Sequence, residues 1–341
     1  MRIALDATYS FGDGLSGVGV YSREILNGLA ASEPAARWDW FYRSQRYFRA
    51  RGLPKPPNVT RRFLSDKWGN RAADLFHGLN QRLPEKRFRL QIATFHDLFV
   101  LSGDYSSKEF RERFAAQARA AAAGADLIIT VSAFTGSQVE HYLKVPAARI
   151  RVIHHGVLPR AIPLLPREKL VLSVGAIQRR KNQARLIRAF RTMPEDWSLV
   201  LAGSQGYGAE DAVREAAESP AASRIRITGY VSDYEIASLY ARASIFAFPS
   251  LDEGFGMPAL EAMAAGLPVI AGNRSALPEV CGDAAELVDP TSDEELAVAL
   301  NKLANNESYR RDLVGRGKQH AAAYRWERGV AETLAAYREL I

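Results

Sequence analysis

Short apolar runs alternate with helix-length amphipathic stretches along almost the whole chain, and this alternation restricts the fold more than any other feature. The runs are 2–6 (RIALD), 91–95 (QIATF), 126–131 (DLIITV), 150–153 (RVIH), 170–174 (LVLSV), 198–202 (SLVLA), 224–227 (RIRI), 244–248 (SIFAF) and 268–271 (PVIA). The intervening periodicity predicts helices over 18–31, 106–124, 132–143, 182–192, 232–242, 256–265, 292–304, 307–322 and 326–340, with Ser132 and Ser232 at N-cap positions. Short strands joined by such helices form βαβ units, so the expected sheets are mostly parallel and covered by helices on both faces. The predicted fold class is α/β, with two doubly wound Rossmann-like domains facing across a cleft.

One segment interrupts the pattern. Residues 158–166 (LPRAIPLLP) hold three prolines, which neither a helix interior nor a central strand tolerates. The chain of 341 residues is long enough for about two domains. The division expected from sequence is therefore 1–160, 161–325 and a C-terminal helix, 326–341, packing back toward the first domain. With 47% hydrophobic and 24% charged residues, wholesale disorder is excluded. A single cysteine, Cys281, excludes an intramolecular disulfide and argues against a Cys-based zinc site. No apolar run approaches the roughly 20 residues of a membrane span, and the first residues read directly as a strand. The expected location is the cytoplasm.

The net charge of +7 is concentrated. Residues 37–91 carry fourteen Lys and Arg against four Asp and Glu, an excess larger than that of the entire chain. The segment also carries Trp38, Trp40, Phe41, Tyr42, Tyr47, Phe48 and Trp68. Cations among aromatics suit an anionic membrane surface or a phosphorylated partner. Nucleic acid is not the expected partner, because the charge is confined to one region and no recognition motif accompanies it.

Three stretches carry chemistry. Gly12–Gly17 (GDGLSG) matches a dinucleotide fingerprint literally, but the loop after Asp6 is too long for that turn, and the acidic residue expected about 20 positions on would be Glu33, at a helix end. What remains is a glycine-bearing helix start at Gly17 that lets backbone amides approach an anion. Arg179-Arg180-Lys181 follows strand 170–174, where the carboxyl end of a parallel strand meets a helix start and three cations suit a polyanion. Asp252–Glu261 (DEGFGMPALE) follows strand 244–248 and places Glu253 in a loop and Glu261 inside a helix. Gly254 and Gly256 bare the amides of that helix start for a phosphate or a sugar hydroxyl, which the carboxylates can also accept. His96 ends strand 91–95 and could contact a hydroxyl or carbonyl. No Asp-x-Asp, P-loop, H-E-x-x-H, G-x-S-x-G or Cys/His ligand cluster occurs, so no metal site is expected.

The run EGFGMPALE (253–261) resembles the E-x7-E motif of the retaining glycosyltransferases of family GT4, which have the two-domain GT-B fold. The resemblance extends in order over nearly the whole chain: SGVGVYSREIL (16–26), TFHDL (94–98), VSAFTGSQV (131–139), HHGV (154–157), SVGAIQRRKN (173–182), GYVSDYEIASLYARASIFAFPS (229–250) and AMAAGLPVIAGNRSALPEVCGDAA (262–285). It implies that Glu253 binds donor-sugar hydroxyls beside the amides of Gly254, Phe255, Gly256 and Met257, and that Glu261 holds the ribose. It implies that Arg180 and Lys181 neutralise the leaving diphosphate, that Gly17 closes over it, and that His96 contacts the donor sugar. Two positions depart from the family pattern. Ala176 stands where many relatives carry Arg, and Arg179 where close relatives have Pro, so which Arg points inward stays open.

The implied activity is metal-independent transfer of a hexosyl group from a nucleotide sugar. GDP-mannose is favoured over a UDP-sugar, because the order of motifs looks closest to bacterial polysaccharide mannosyltransferases. The implied acceptor is a saccharide or polyprenyl-diphosphate-linked saccharide in cell-surface polysaccharide assembly. Residues 37–91 would then touch the inner face of the plasma membrane. A UDP-sugar-dependent transferase, and from another class a nucleic-acid-binding or non-catalytic GT-B scaffold protein, are the alternatives. The sequence leaves the oligomeric state open.

Overall fold

Two Rossmann-like units emerge from the alternating pattern in the computed structural model, which describes residues 2–12, 14–65, 72–158 and 161–341. The first unit comprises residues 1–101, 108–156 and 325–341, and the second 102–107 and 157–324. Pro159 and Arg160 of the proline-rich segment lie outside the described residues.

The first unit is built on β1 (Arg2–Asp6), β2 (Arg37–Arg43), β3 (Val59–Leu64), β4 (Leu75–Gly78), β5 (Leu90–Phe95), β6 (Leu127–Thr130) and β7 (Ile150–Val152). They form one sheet in the order β3-β2-β1-β4-β5-β6-β7, with every pairing parallel. The second holds β8 (Leu170–Val174), β9 (Ser198–Ala202), β10 (Ile225–Ile227), β11 (Ile245–Phe248), β12 (Val269–Gly272) and β13 (Glu286–Val288). Their order is β10-β9-β8-β11-β12-β13, again all parallel. Each sheet reverses its strand order once, between β1 and β4 and between β8 and β11. At such a switch point the connections leave in opposite directions and a crevice opens at the carboxyl ends of the strands.

The two serines placed at helix starts act there. Ser132 Oγ accepts from Thr135 N at 3.0 Å, and Ser232 forms a reciprocal capping box with Glu235. The C-terminal helix Trp326–Leu340 packs on the helix Gly17–Ser32 so closely that a Cβ on Gly28 would meet Val330 Cγ2 at 2.4 Å. Its Tyr337 hydroxyl meets His77 Nδ1 at 2.6 Å. The chain of buried hydrogen bonds continues from His77 Nε2 to Thr94 Oγ1 at 2.8 Å and on to the Tyr21 hydroxyl at 3.0 Å.

Strand β2 changes the reading of the basic segment. Trp38, Trp40, Phe41 and Tyr42 are at most 5% exposed and belong to the core. Its one acid, Asp39, accepts from Arg2 Nε of β1 and Arg62 Nε of β3, both at 2.7 Å, so charge is stitched across three neighbouring strands. Phe48, in the short helix Ser44–Ala50, remains 66% exposed, and Phe63 of β3 47%. Trp68 lies outside the described residues. Among the described residues no helix is long and apolar enough to cross a membrane.

Candidate functional site

The switch point of the second sheet gathers three of the charged residues singled out from sequence. The chain leaving β8 makes a 3-10 turn at Arg179–Lys181, and the chain leaving β11 carries Glu253. Lys181 Nζ lies 2.5 Å from Glu253 Oε1, and an Arg180 guanidinium nitrogen 3.1 Å from Oε2. The side chains of all three are about nine-tenths buried. Burial alone would raise the Glu253 pKa, but the adjacent Arg180 and Lys181 charges, with the hydrogen bond from Lys181, leave it below the ordinary carboxylate value. The trio is therefore ionised and carries a net positive charge. Lys181 also sits over the Phe248 ring, 4.6 Å from its centroid.

Backbone and side-chain bonds fix this cluster. Leu251 N donates to Arg180 O at 2.8 Å, which ties the two strand-end loops together. Asn182 donates to Pro249 O at 3.1 Å and Pro290 O at 2.6 Å. Ser275, held at φ +57°, accepts from Glu253 N at 2.9 Å, and Ala276 N donates to Glu253 O at 3.2 Å. Strain at a non-glycine residue in the left-handed region persists only where its surroundings enforce it.

Downstream, Gly254, Phe255 and Gly256 are buried and Met257 is half-buried. Gly256 adopts φ +103° and caps the helix Met257–Ala264; a Cβ there would meet Leu277 Cδ2 at 2.6 Å. Phe255 sets its ring edge-on to Tyr324 at 5.9 Å. Glu261 lies one turn into the helix and accepts from the Tyr240 hydroxyl at 3.3 Å. Asp252 is buried next to Glu253 in sequence and accepts from Ser102 Oγ at 2.5 Å. Arg179 points elsewhere. It is half exposed, pairs at 3.7 Å with Asp104 and with Asp211, and lies over Tyr207. Of the two arginines left open by sequence, Arg180 is the one directed at Glu253.

Gly17 and His96 lie in the first unit. Gly17 is exposed and begins the helix Gly17–Ser32, whose cap Ser16 accepts from Gly19 N at 3.4 Å. His96 is buried, with its Nε2 2.9 Å from Leu79 O, and stacks on His155 at 5.5 Å. Burial lowers its pKa to about 4, a shift partly opposed by the Leu79 bond. A carbonyl can only accept, so Nε2 carries the proton and the neutral ring keeps Nδ1 as an acceptor.

Several supporting residues gave no sequence signal: Asn182, Tyr240, Ser275 and His77 act through folded neighbours, not through a local pattern. His77 is fully buried and its pKa falls to about 3, because of burial and then the neighbouring His96. Among the described residues no group of three His, Cys, Asp or Glu is arranged to hold a metal ion.

Comparison with known proteins matches both halves. Residues 15–159 fit the family described as Glycosyltransferase Family 4, and residues 158–320 the family described as Glycosyl transferases group 1. The chain is 31% identical over 284 residues to O-antigen chain mannosyltransferase B of Escherichia coli, covering 78% of this chain and 74% of the relative. A 27% identity over 165 residues links it to the serotype-specific mannosyltransferase WbdA of Escherichia coli, covering 47% of this chain and 20% of that one. Among solved structures, sucrose-phosphate synthase of Thermosynechococcus elongatus superposes with a TM-score of 0.79 at 23% identity, covering 100% of this chain and 99% of that one. Anabaena HepE in complex with UDP and glucose gives 0.73 at 18% identity, covering 98% and 99%. The fold is thus that of the GT-B glycosyltransferases, and the chain belongs to the family 4, group 1 glycosyltransferases.

Proposed function

We propose that the chain transfers a mannosyl group, with retention of configuration and without a metal ion, from GDP-mannose to a saccharide or polyprenyl-diphosphate-linked saccharide in cell-surface polysaccharide assembly. The observation that carries this reading is the buried Arg180–Glu253–Lys181 cluster at the β8/β11 switch point. Breaking a sugar–phosphate bond develops negative charge on the diphosphate. Cations already fixed and desolvated stabilise that charge without reorganisation. In this reading the diphosphate lies against Arg180 and Lys181 and the amides of Gly254 to Met257. Glu253 takes sugar hydroxyls and Glu261 the ribose. Gly17 opens a helix start whose amides suit an anion. The neutral His96 accepts a sugar hydroxyl at Nδ1. The acceptor hydroxyl attacks from the face the diphosphate leaves, and its proton departs with the diphosphate.

The relatives favour the mannosyl donor, since O-antigen chain mannosyltransferase B and WbdA are mannosyltransferases by name. A UDP-sugar is the second reading, supported by the neighbouring fold that holds UDP and glucose. The exposed Phe48 and Phe63, with the arginines around them, are the proposed contact to the inner membrane face. A thermal-shift panel of GDP, UDP, ADP and dTDP with their common sugars, with chelator present, tests the donor. A ligand at 100 times its Kd stabilises by about 2.7 kcal/mol, a few degrees in melting temperature. A shift with the guanosine compounds alone supports GDP-mannose. A shift with uridine compounds replaces it, and no shift with any overturns the donor assignment.

A further inference from the structure

The first sheet has its own switch point, between β1 and β4, and a cavity of about 660 Å³ lies there. Tyr9 reaches it from the loop after β1, and Asn80 and Gln81 from the loop after β4. The helix Lys108–Gly124 supplies Phe110, Arg113 and Gln117. Ser16 and Val18 bring the start of the helix Gly17–Ser32 to the same wall.

The lining is mixed in a particular way. Tyr9 and Phe110 leave 37% and 38% of their surface exposed, although both carry large aromatic rings. Three carboxamides, Asn80, Gln81 and Gln117, stand among them. An aliphatic ligand has no use for the amides, and an ion has none for the rings. A pyranose uses both, with an apolar C–H face and vicinal hydroxyls that donate and accept together. One group in the wall is unsatisfied. Asn80 is 8% exposed, and its Oδ1 is buried without a hydrogen-bond partner. A buried acceptor left so is costly and calls for a donor, which a ligand hydroxyl can supply.

The loop is set in advance. Arg82 N donates to Asn80 O at 2.8 Å, His96 Nε2 to Leu79 O at 2.9 Å, and Gln117 Nε2 to Gln81 O at 3.2 Å. A wall already immobilised loses little freedom when a ligand arrives. The rim is cationic. Arg113 lies exposed over the Phe110 ring at 5.4 Å and makes no ion pair among the described residues. The amide end of the helix beside Ser16 adds to this positive field.

We propose that this cavity binds a pyranose carrying an anionic group, with the ring on Tyr9 and Phe110, hydroxyls on the carboxamides and the anion toward Arg113. Its assignment as the acceptor site rests on the transferase reading above; the binding itself does not. The anion is either a phosphate ester or a sugar carboxylate.

Calorimetric titration of the full chain tests this with methyl α-mannopyranoside, mannose 1-phosphate, methyl glucuronide and guanosine. The expected result is binding of the three pyranosides, tighter for a charged one, and none of guanosine at this site. The charged probe that gains more names the source of the anion. Phe110→Ala weakens every pyranoside by roughly fivefold. Arg113→Ala abolishes the preference for charge and leaves the neutral pyranoside unchanged. Both side chains are exposed, and unaltered melting confirms that the variants fold. Absence of pyranoside binding, a Phe110→Ala variant that binds pyranosides as the parent does, an Arg113→Ala variant that keeps the preference for charge, or guanosine binding that Phe110→Ala weakens overturns the proposal. Nucleotide-sugar turnover by the parent protein in the same preparation separates the two claims. Turnover without a pocket effect refutes the cavity assignment alone; pocket binding without turnover refutes the transferase reading alone.

Discussion

Replacing Glu253 by Ala strands two cations in a space that admits almost no water. The side chains of Glu253, Arg180 and Lys181 are 8%, 10% and 11% exposed, and the carboxylate is the counter-charge to both bases. Removing one partner of a buried ion pair costs about 3–5 kcal/mol, most of it the uncompensated charge left behind. For a unit of this size each kcal/mol lowers the melting temperature by about 2–4 °C, so the expected drop is about 6–20 °C. Glu253→Gln separates charge from volume. It keeps the shape and removes the charge, so it falls nearly as far as Ala. A loss due to cavity formation would instead be largely restored by Gln. Lys181→Met added to Glu253→Gln recovers much of the loss, because one stranded cation disappears and the coupling is not additive. Pyrophosphate stabilises the Gln variant more than the parent, since it supplies the missing negative charge. Differential scanning calorimetry of parent, single and double variants, with and without pyrophosphate, measures all of this. A Gln variant melting within a couple of degrees of the parent refutes the argument, and so does a double variant no more stable than the single.

Three further outcomes follow from particular contacts. Lys181→Ala lowers kcat/KM for sugar transfer by about 10²–10³, the usual effect of losing one fixed donor to a developing anion, whereas Arg179→Ala stays within about threefold, because Arg179 is half exposed and pairs with Asp104 and Asp211; steady-state kinetics decide between these roles. Acid weakens the first unit early: burial depresses His96 to about 4 and His77 to about 3 from an unfolded value of 6.5, so the unfolded state binds more protons below pH 6.5 and stability falls from there toward pH 4, at up to about 1.4 kcal/mol per pH unit for each histidine. Glu253, held below its ordinary 4.5, adds its loss only at lower pH, and urea unfolding at pH 7, 6 and 5 exposes the earlier window; a flat profile there refutes it. Gly256→Ala destabilises by about 2 kcal/mol, since it combines φ +103° with a Cβ 2.6 Å from Leu277 Cδ2, and thermal melts read the loss directly.

Nine strands made of apolar runs were legible because a parallel sheet buried on both faces leaves its strands no polar alternation, whereas β3, β4 and β13, short or interrupted by charges, were not. Strand β2 was not, because RWDWFYR carries three charges whose partners come from elsewhere: Asp39 is neutralised by Arg2 and Arg62 from the flanking strands. Read alone, the same residues look like a basic aromatic surface. The helix Ala209–Glu218 was missed for a related reason, since its buried face consists mainly of small Ala209 and Ala212. At the site, the charged residues and glycines stood out, because a cation run at a strand end and glycines at a helix start are locally unfavourable without a ligand. Asn182, Tyr240 and Ser275 did not, because their work is to bond groups brought near only by the fold. His77 is the clearest case: between Thr94 and Tyr337 it joins positions 260 residues apart in sequence, and no window along the chain contains that pairing.

The arrangement of Glu253 between Arg180 and Lys181 answers a physical problem that the proposed reaction raises. Two cations meant for a diphosphate must be buried beforehand, because only desolvated, fixed charges stabilise the leaving group strongly. Buried alone, they would repel each other and unfold the loops that carry them. A carboxylate between them makes the unliganded site stable while keeping its net charge positive. It also sets a condition on the substrate. A diphosphate that draws the cations away leaves Glu253 a buried anion in need of donors, and sugar hydroxyls are such donors. Diphosphate and sugar therefore satisfy the site together better than either does alone. In the proposed reaction the residue that stabilises the empty protein would then, once the cations turn to the diphosphate, select for a donor with its sugar still attached.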